Sequence, residues 1–371
     1  MSGYPGDSKA LGVLLGFQRE IRAFVASSDQ RNLSSVSWWL YRSAGGAPTT
    51  TGRGAWPTAD GLHALAQRLH ARLARGGGGR SNRRTMKLRL TVAQVRVLLR
   101  DLLLVASGLR PSCLVDCCAL TKELARLLLD GLAHEHDPDQ QWSDVRHVRA
   151  VLLDGNVFFV HVDAFVREKM ATGLLWQQMV VDVSARLARP KRINSNSSDA
   201  DAARLNALAA WTVGACHNLL ASTASRVLEW ERPATLNATA LAGILLCYPC
   251  VYDVSRGDGE DAADEWSEQD NCLAMCPLFL LQTAVILPPQ QLETALHEFS
   301  VPQHLLHDLN DQEHEQELGV DVDSLELPLL KLLRARCRLQ LQRAIGQSYF
   351  AASNAQPQVR VGTRTLPRVA L

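Results

Sequence analysis

The sequence lacks the features that would direct it to nucleic acid or into a membrane. Its 39 Lys and Arg residues are balanced by 38 Asp and Glu residues, so no global field favours nucleic acid or an anionic membrane. The longest uncharged apolar run, Cys272 to Leu287, is shorter than the roughly 18 residues of a spanning helix. The first apolar run ends at Gln18, Arg19 and Glu20 without a small-residue cleavage site, so no signal peptide is predicted. We therefore expect a soluble protein without a membrane span.

A disulfide framework is also missing. The cysteine count is odd, at nine, and most of these residues lie inside apolar runs. This pattern fits reduced, buried thiols better than the paired cysteines of a secreted protein. We therefore predict an intracellular protein, cytoplasmic or nuclear.

The composition changes near residue 85. Helical patterns before it, at 14–25 and 61–74, are separated by a loop rich in Gly and Thr, and a basic Gly-rich linker follows at 75–84. These glycines do not form a phosphate loop, because no strand precedes them and no Gly-Lys-Ser/Thr follows. The Arg residues of the linker lack interleaved aromatics, so a solvated linker is favoured over a phosphate-binding patch. We predict a partly disordered, partly helical extension over 1–85 and one domain over 86–371.

Strand and helix patterns interleave after the linker. Thr91 and Gly108 are placed to begin and end a helix, and Asn237 or Thr235 to begin another. Asp154-Gly155-Asn156 separates two β-rich runs and predicts a hairpin. The polar insert at 192–202 is expected to be mobile, and Ala202 to Trp230 to form one long helix.

The fold class predicted from these patterns is α/β with α+β character, a mixed sheet with helices on both faces. The hairpin forbids a purely parallel sheet. Five runs are predicted to share that one sheet: Leu114 to Asp116, Val148 to Leu153, Val157 to Val162, Met179 to Val183 and Val251 to Val254.

Six short motifs occur in one order along the chain: GLRPSCLVDC at 108–117, VDVS at 181–184, GILLxYPxxY at 243–252, DNCLAxxPL at 270–278, FSVP at 299–302 and TLPxVAL at 365–371. In this order they resemble the uncharacterised family typified by the human chromosome one open reading frame seventy-four product. The resemblance covers about Leu88 to the C-terminus and leaves the first 85 residues outside. The family implies no assigned activity, so the resemblance does not predict a reaction.

Two groups of residues have the composition of metal ligands. Cys247-x-x-Cys250 and Cys272-x-x-x-Cys276 together offer four thiolates, as a structural zinc site requires, but both pairs lie in apolar surroundings. The family pattern lacks thiols at Cys247, Cys250 and Cys276, so apolar core filling is favoured. The sequence His-Glu-His-Asp at 134–137 is typical of a solvated helix end. We predict neither a metal nor another cofactor.

Polar residues at predicted strand ends are the candidates for function. Cys117 and Cys272 lie at strand ends, where α/β sites form, but no histidine falls within the matched motifs, so packing is favoured over nucleophilic catalysis. Asp116 and Asp182 end apolar strands and could share a proton or hold Mg²⁺. Capping or turn hydrogen bonds are the favoured alternative for both.

The complete candidate binding cluster is Asp116, Cys117, Asp182, Tyr248, Tyr252, Asn271 and Cys272. Because no complete set of nucleophile, base and oxyanion donor can be assembled, the favoured function is a non-catalytic binding or interaction protein. The alternative is a hydrolase or a metal-assisted transferase that uses the strand-end carboxylates and a cysteine. The sequence leaves the ligand and the partners unknown.

Overall fold

In the part of the chain that the structure describes, the residues form helices and strands, and the strands make three separate sheets. The computed structural model describes residues 59–76, 90–135, 142–170, 178–194, 198–222, 224–255, 271–287, 292–306, 328–346 and 356–366. The helices are α1 Ala59–Gly76, α2 Val92–Ala106, α3 Lys122–His134, α4 Val162–Met170, α5 Asp199–Ala221, α6 Ala238–Leu245 and α7 Pro328–Gly346, with a 3-10 helix at Trp142–His147. The strands are β1 Ser112–Leu114, β2 Val148–Leu153, β3 Asn156–His161, β4 Met179–Asp182, β5 Lys191–Arg192, β6 Val227–Trp230, β7 Cys250–Asp253, β8 Pro277–Leu287, β9 Leu292–Pro302 and β10 Gln356–Thr365. None of these helices is long and apolar enough to cross a membrane.

The sheets have the orders β1-β3-β2-β6, β5-β4-β7 and β10-β8-β9. Parallel pairing joins β2 to β6 and β4 to β7, whereas the other pairs are antiparallel. The α/β class with mixed sheets is therefore confirmed. The prediction that five runs share one sheet is wrong, because β1 and β6 occupy both outer edges of the β2–β3 hairpin. With those edges filled, β4 pairs with β7 instead.

Helices cover both faces of the four-stranded sheet, as predicted. Ala150 and Phe159 face a core cluster formed with α1, α2 and α3. Their neighbours Val151 and Phe158 face the opposite cluster, formed with α4, α5 and α6. This alternation follows from the strand period of two, and it explains why both strands are apolar at nearly every position.

Helix α1 contributes one face to the first core. Leu65, Leu69 and Leu73 are buried there at helical spacing. Gly131 of α3 permits the close approach, since a Cβ at that position would lie 3.1 Å from Leu69 Cδ2. The division of the chain after residue 85 stays a prediction, but α1 lies before that position and packs within the compact unit that begins at Gly52.

Local turn and cap chemistry follows the sequence closely. Asp154 and Gly155 have φ values of 48° and 75°, which is the conformation of a two-residue hairpin turn with both central residues at positive φ. Thr91 caps α2 through a capping box with Gln94, and Asn237 caps α6. The hairpin and the two helix starts are therefore confirmed.

The long helix predicted from Ala202 to Trp230 is wrong at both ends. Ser198 accepts a hydrogen bond from Asp201 N and caps α5 inside the polar insert that was expected to be mobile. The helix ends at Ala221, and Val227–Trp230 forms β6, which pairs in parallel with β2. Strand pairing decides the second case, because tertiary contacts override weak helix propensity in a short segment.

His161 makes the start of α4 sensitive to acid. Its Nδ1 accepts a hydrogen bond from Ala164 N at 3.3 Å, and its ring stacks on His147 with centroids 5.8 Å apart. Burial lowers the pKa of His161 to about 4, against the opposing charge of Asp163 and with help from His147 and Arg167. The imidazole is therefore neutral in the folded protein at neutral pH.

We expect acid to destabilise the protein in part through His161. An unfolded histidine binds its proton near pH 6.5, whereas folded His161 does so only near 4. Between these values the unfolded state binds more protons, so stability falls as pH falls. From about pH 7.5 to about pH 5, the parent should lose about 2 kcal/mol more unfolding free energy than His161→Asn, which keeps a cap acceptor but does not titrate. Urea unfolding at each pH measures this difference.

The matched control is His217→Asn, on the exposed part of α5, which should respond to pH as the parent does. An identical acid-induced loss in His161→Asn and the parent would contradict the role of His161.

Candidate functional site

The parallel pair β4–β7 brings two aspartates to one edge of its sheet. Asp182 ends β4 and Asp253 ends β7, and they are direct partners in the register. Both residues are buried. Two carboxylates side by side with little water repel each other, so this arrangement requires a compensating cation.

Arg204 of α5 supplies that cation. Its Nη1 lies 2.7 Å from Asp182 Oδ2, and its Nη2 lies 2.7 Å from Asp253 Oδ2. Its Nε also donates to Asp253 Oδ2 at 3.0 Å. One guanidinium therefore bridges the ends of two strands, as its planar set of donors allows.

Two serines extend this network outward. Ser184 Oγ donates to Asp182 Oδ1 at 2.5 Å and accepts from Ser255 N at 2.8 Å. Ser184 Oγ also lies 3.0 Å from Ser255 Oγ. Arg186 Nη2 donates to Ser255 Oγ at 2.6 Å. The chain of hydrogen bonds thus runs from the buried Asp182 to an exposed guanidinium.

Burial and the neighbouring groups shift the pKa values of Asp182, Asp253 and Arg204. Burial tends to raise the pKa of Asp182, but the hydrogen bonds from Ser184 and Arg204 outweigh it and lower that pKa overall. Burial raises the pKa of Asp253 in spite of the charge of Arg204. Burial disfavours the charged form of Arg204, but the two carboxylates raise its pKa. Asp182 and Arg204 therefore form an ion pair at neutral pH.

Asn271 and Cys272 lie beside the same strand end. Asn271 forms an antiparallel bridge with Ser184, and Cys272 N donates to Val183 O at 3.0 Å. Burial raises the pKa of the Cys272 thiol to about 11, and the charge of Asp182 adds to the effect. The structure thus brings Asp182, Asn271 and Cys272 together and keeps the thiol protonated at neutral pH.

Asp116 and Cys117 follow β1, on the four-stranded sheet. Asp116 is exposed, and Cys117 Sγ lies 3.9 Å from Cys118 Sγ. Burial raises the pKa of Cys117 and raises that of Cys118 to about 12. These two candidates therefore belong to a different sheet from Asp182.

Tyr248 and Tyr252 face β9. The Tyr248 ring stacks on Phe299, with centroids 5.7 Å apart, and meets His297 edge-on. Tyr252 Oη lies 2.9 Å from Ser300 Oγ. Burial raises the pKa of both phenols. Tyr252 of β7 and Tyr248, which precedes β7, thus both contact β9. The seven candidate residues therefore lie in three separate parts of the structure.

The sequence reasoning identified Asp182 but missed the other five members of the network: Ser184, Arg186, Arg204, Asp253 and Ser255. Asp253 and the two serines were visible as a repeat, because Asp-Val-Ser occurs at 182–184 and again at 253–255. Each copy ends a strand of one parallel pair, which aligns the two motifs side by side. Arg204 gave no comparable pattern, since it lies within a polar helical segment of ordinary composition.

Metal-type ligands are not gathered in the part of the chain that the structure describes. No group of three or more His, Cys, Asp and Glu residues there could hold a metal ion. Cys247 packs in the second core cluster, whereas Cys250 packs in the third. His136 and Asp137 lie outside the described residues.

We expect Arg204→Met to be strongly destabilising, because it leaves two buried carboxylates without a cation. The loss should be about 3–5 kcal/mol of unfolding free energy, measured in urea. Adding Asp182→Asn and Asp253→Asn to Arg204→Met should recover part of that loss.

The matched control is Arg360→Met. Arg360 pairs with Glu293 at the surface, where the side chains are 56% and 35% exposed, so about 1 kcal/mol or less should be lost. Equal losses for Arg204→Met and Arg360→Met would show that the bridge does not hold the strand ends.

We expect a strong zinc chelator to leave the melting temperature unchanged, because the cysteines fill apolar space. A structural zinc ion usually supplies much of the folding energy of its unit. Thermal unfolding with and without chelator checks this, with elemental analysis alongside. A lower melting temperature together with bound zinc would instead support a structural zinc site formed by Cys247, Cys250, Cys272 and Cys276.

Comparison of the chain with known protein families identifies the family to which it belongs. The family model described as Domain of unknown function (DUF4504) matches residues 80–318, which include β1 to β9 and the whole Asp182–Arg204–Asp253 network. No solved structure matches the chain. The match covers more than half of the 371 residues. The chain therefore belongs to this family of unknown function.

Proposed function

We propose that this protein is a non-catalytic binding protein and that it holds its ligand at the ends of β4 and β7. The strand-end site consists of Asp182, Ser184, Arg204, Asp253 and Ser255. The observation that carries the proposal is the continuous network from Asp182 to Ser255. In α/β sheets, ligands bind outside the carboxyl ends of parallel strands, which is where this network lies.

The bonding of the carboxylates favours binding over turnover. Both oxygens of Asp182 are occupied, Oδ1 by Ser184 and Oδ2 by Arg204. For Asp182 to act in a hydrolase or a metal-assisted transferase, one of its oxygens would have to be free to take a proton or a metal. The nearby Cys272 would have to ionise to act as a nucleophile, and its raised pKa of about 11 opposes this.

The rim of the site favours a small anionic ligand. The exposed Arg186 already donates to the outer hydroxyl, Ser255 Oγ. Arg189, Lys191 and Arg192 follow β4 and are also exposed. Guanidinium and ammonium groups suit phosphate or carboxylate ligands, for which Arg offers a planar pair of donors.

The nine cysteines support an intracellular location as part of this proposal. All nine are free, as expected where thiols stay reduced. We also infer that the family is the one typified by the human chromosome one open reading frame seventy-four product. The six motifs quoted above support this inference, since they follow one order along the chain.

The test uses the full chain and calorimetric titration with citrate, glucose 6-phosphate and ATP. We expect at least one of these anions to bind, and Arg186→Ala and Ser255→Ala to weaken its Kd by about tenfold. Because Arg186 is exposed and Ser255 is half-buried, these variants should keep the parent's melting temperature. Arg360→Ala, on the surface of β10, is the matched control and should bind as the parent does.

Three outcomes would count against the proposal. If none of the anions binds, the ligand class is wrong. If the Arg186 and Ser255 variants bind like the parent, the site lies elsewhere. If a bound anion is converted to product, the enzymatic alternative replaces the binding function.

A further inference from the structure

A second group of polar side chains is enclosed where α7 meets the β8–β9 pair. Thr283 of β8 lies directly opposite His297 of β9, and both are buried. Cys337 of α7 is buried as well, and the Thr283 side chain acts to lower the pKa of its thiol against the effect of burial. Arg336 precedes Cys337, and Gln340 follows one helical turn later. We call Thr283, His297, Arg336 and Gln340 the inner polar cluster.

Several atoms of the inner polar cluster lack partners. Within the described part of the chain, the buried atoms His297 Nε2, Arg336 Nη2, Gln340 Oε1 and Gln340 Nε2 have no hydrogen-bond partner. His297 is only 5% exposed and Gln340 only 4%. Buried polar groups in native proteins are almost always hydrogen-bonded, so the concentration of four such atoms indicates a polar guest.

The charges around the inner polar cluster favour an anionic guest. Arg336 lies 2.8 Å from Glu168 Oε1 and donates from Nη1 to Cys247 O at 2.8 Å. The neighbouring Lys169 is also buried, with Nζ 3.4 Å from the neutral Gln178 Oε1. Burial lowers the pKa of Lys169, and Arg336 contributes to this against the opposing charge of Glu168. Arg336 is thus a cation whose Nη2 has no partner within the described part of the chain, and an added anion would also favour the charged form of Lys169.

His297 is neutral and can complete such a site. Burial lowers its pKa well below the ordinary value, and the charges of Arg336 and Arg110 add to this. The Tyr248 ring meets its imidazole edge-on, with centroids 6.5 Å apart. A neutral imidazole offers one donor and one acceptor, so His297 can serve either an anion or a hydroxyl group.

We propose that the inner polar cluster binds a small carboxylate that also carries a hydroxyl or amino group. The carboxylate would accept hydrogen bonds from Arg336 Nη2 and Gln340 Nε2. The hydroxyl or amino group would donate to Gln340 Oε1, which otherwise has no donor in the described part of the chain. This site lies apart from the strand-end site and does not depend on the function proposed there.

Buried water is the simplest competing occupant. Water can satisfy hydrogen-bonding atoms, but it carries no negative charge to pair with the guanidinium donor Arg336 Nη2. A carboxylate meets both needs, because it brings acceptors and a negative charge into a place from which bulk water is removed.

The experiment titrates the purified full chain calorimetrically with lactate, malate, serine and glutamate, using lactamide and serinamide as uncharged counterparts. We expect at least one acid to bind and its amide counterpart to bind at least about tenfold more weakly. Gln340→Leu removes two of the unpartnered atoms, so it should weaken that acid by about tenfold or more and leave the unliganded melting temperature unchanged or raised.

Gln282→Leu is the matched control. Gln282 neighbours Thr283 on β8, but its Nε2 donates to Glu298 outside the cluster, so binding should match the parent. Gln340→Asn keeps the amide but shortens the side chain by one methylene. This variant provides a second test of the site if the leucine variant does not fold. Arg360→Ala, on the surface of β10, should also bind the acid as the parent does.

The proposal is overturned if none of the four acids binds. It is also overturned if Gln340→Leu or Gln340→Asn binds an acid as tightly as the parent, or if a high-resolution crystal structure grown with the acids shows only water beside Gln340.

Discussion

The bridge from Arg204 to Asp182 and Asp253 is the interaction on which the arrangement of the sheets depends. Parallel pairing of β4 with β7 places the two carboxylates side by side, and burial makes their repulsion costly. Arg204, which lies on α5, compensates this repulsion. Leu208, Cys216 and Leu219 of the same helix belong to the second core cluster. The same helix therefore packs against the four-stranded sheet and neutralises the end of its three-stranded neighbour.

This use of the carboxylates limits the chemistry of the strand end. Breaking the ion pair to free Asp182 for proton transfer would leave Arg204 and Asp253 without full compensation. Such a site keeps a fixed geometry, but its groups do not readily gain or lose protons. Recognition needs a fixed geometry, whereas acid–base catalysis needs groups that gain and lose protons. Ser255 and Arg186 continue this network from Asp182 towards the surface.

Local features of this fold could be predicted because their causes are local. The hairpin depends on the positive φ of Asp154 and Gly155, and the starts of α2 and α6 depend on the side chains of Thr91 and Asn237. The end of β4 at Asp182 was likewise visible. In each case, a few neighbouring residues contain the whole physical reason.

Pairing between distant segments could not be predicted in the same way. The strand β6 forms because it can pair with the edge of β2, and the residues of Val227–Trp230 do not by themselves predict that partner. The partition into separate sheets depends in turn on which edges are already filled. The repeat of Asp-Val-Ser was a usable signal for Asp253, but its meaning requires knowing that the two strands are parallel neighbours. Arg204 could be found only from the folded structure.

The two polar networks differ in how completely the protein satisfies them. At the strand end, Asp182, Arg204 and Ser184 satisfy one another, and a satisfied network of this kind specifies one geometry. Around Gln340, both amide atoms of that residue, His297 Nε2 and Arg336 Nη2 lack partners within the described residues, although burial there is just as deep. An apolar side chain at Gln340 would fill the same place without unpaired polar atoms. A sequence that keeps the amide thus carries a polar group that core packing does not require, and a guest that pairs with both of its ends supplies the missing physical reason.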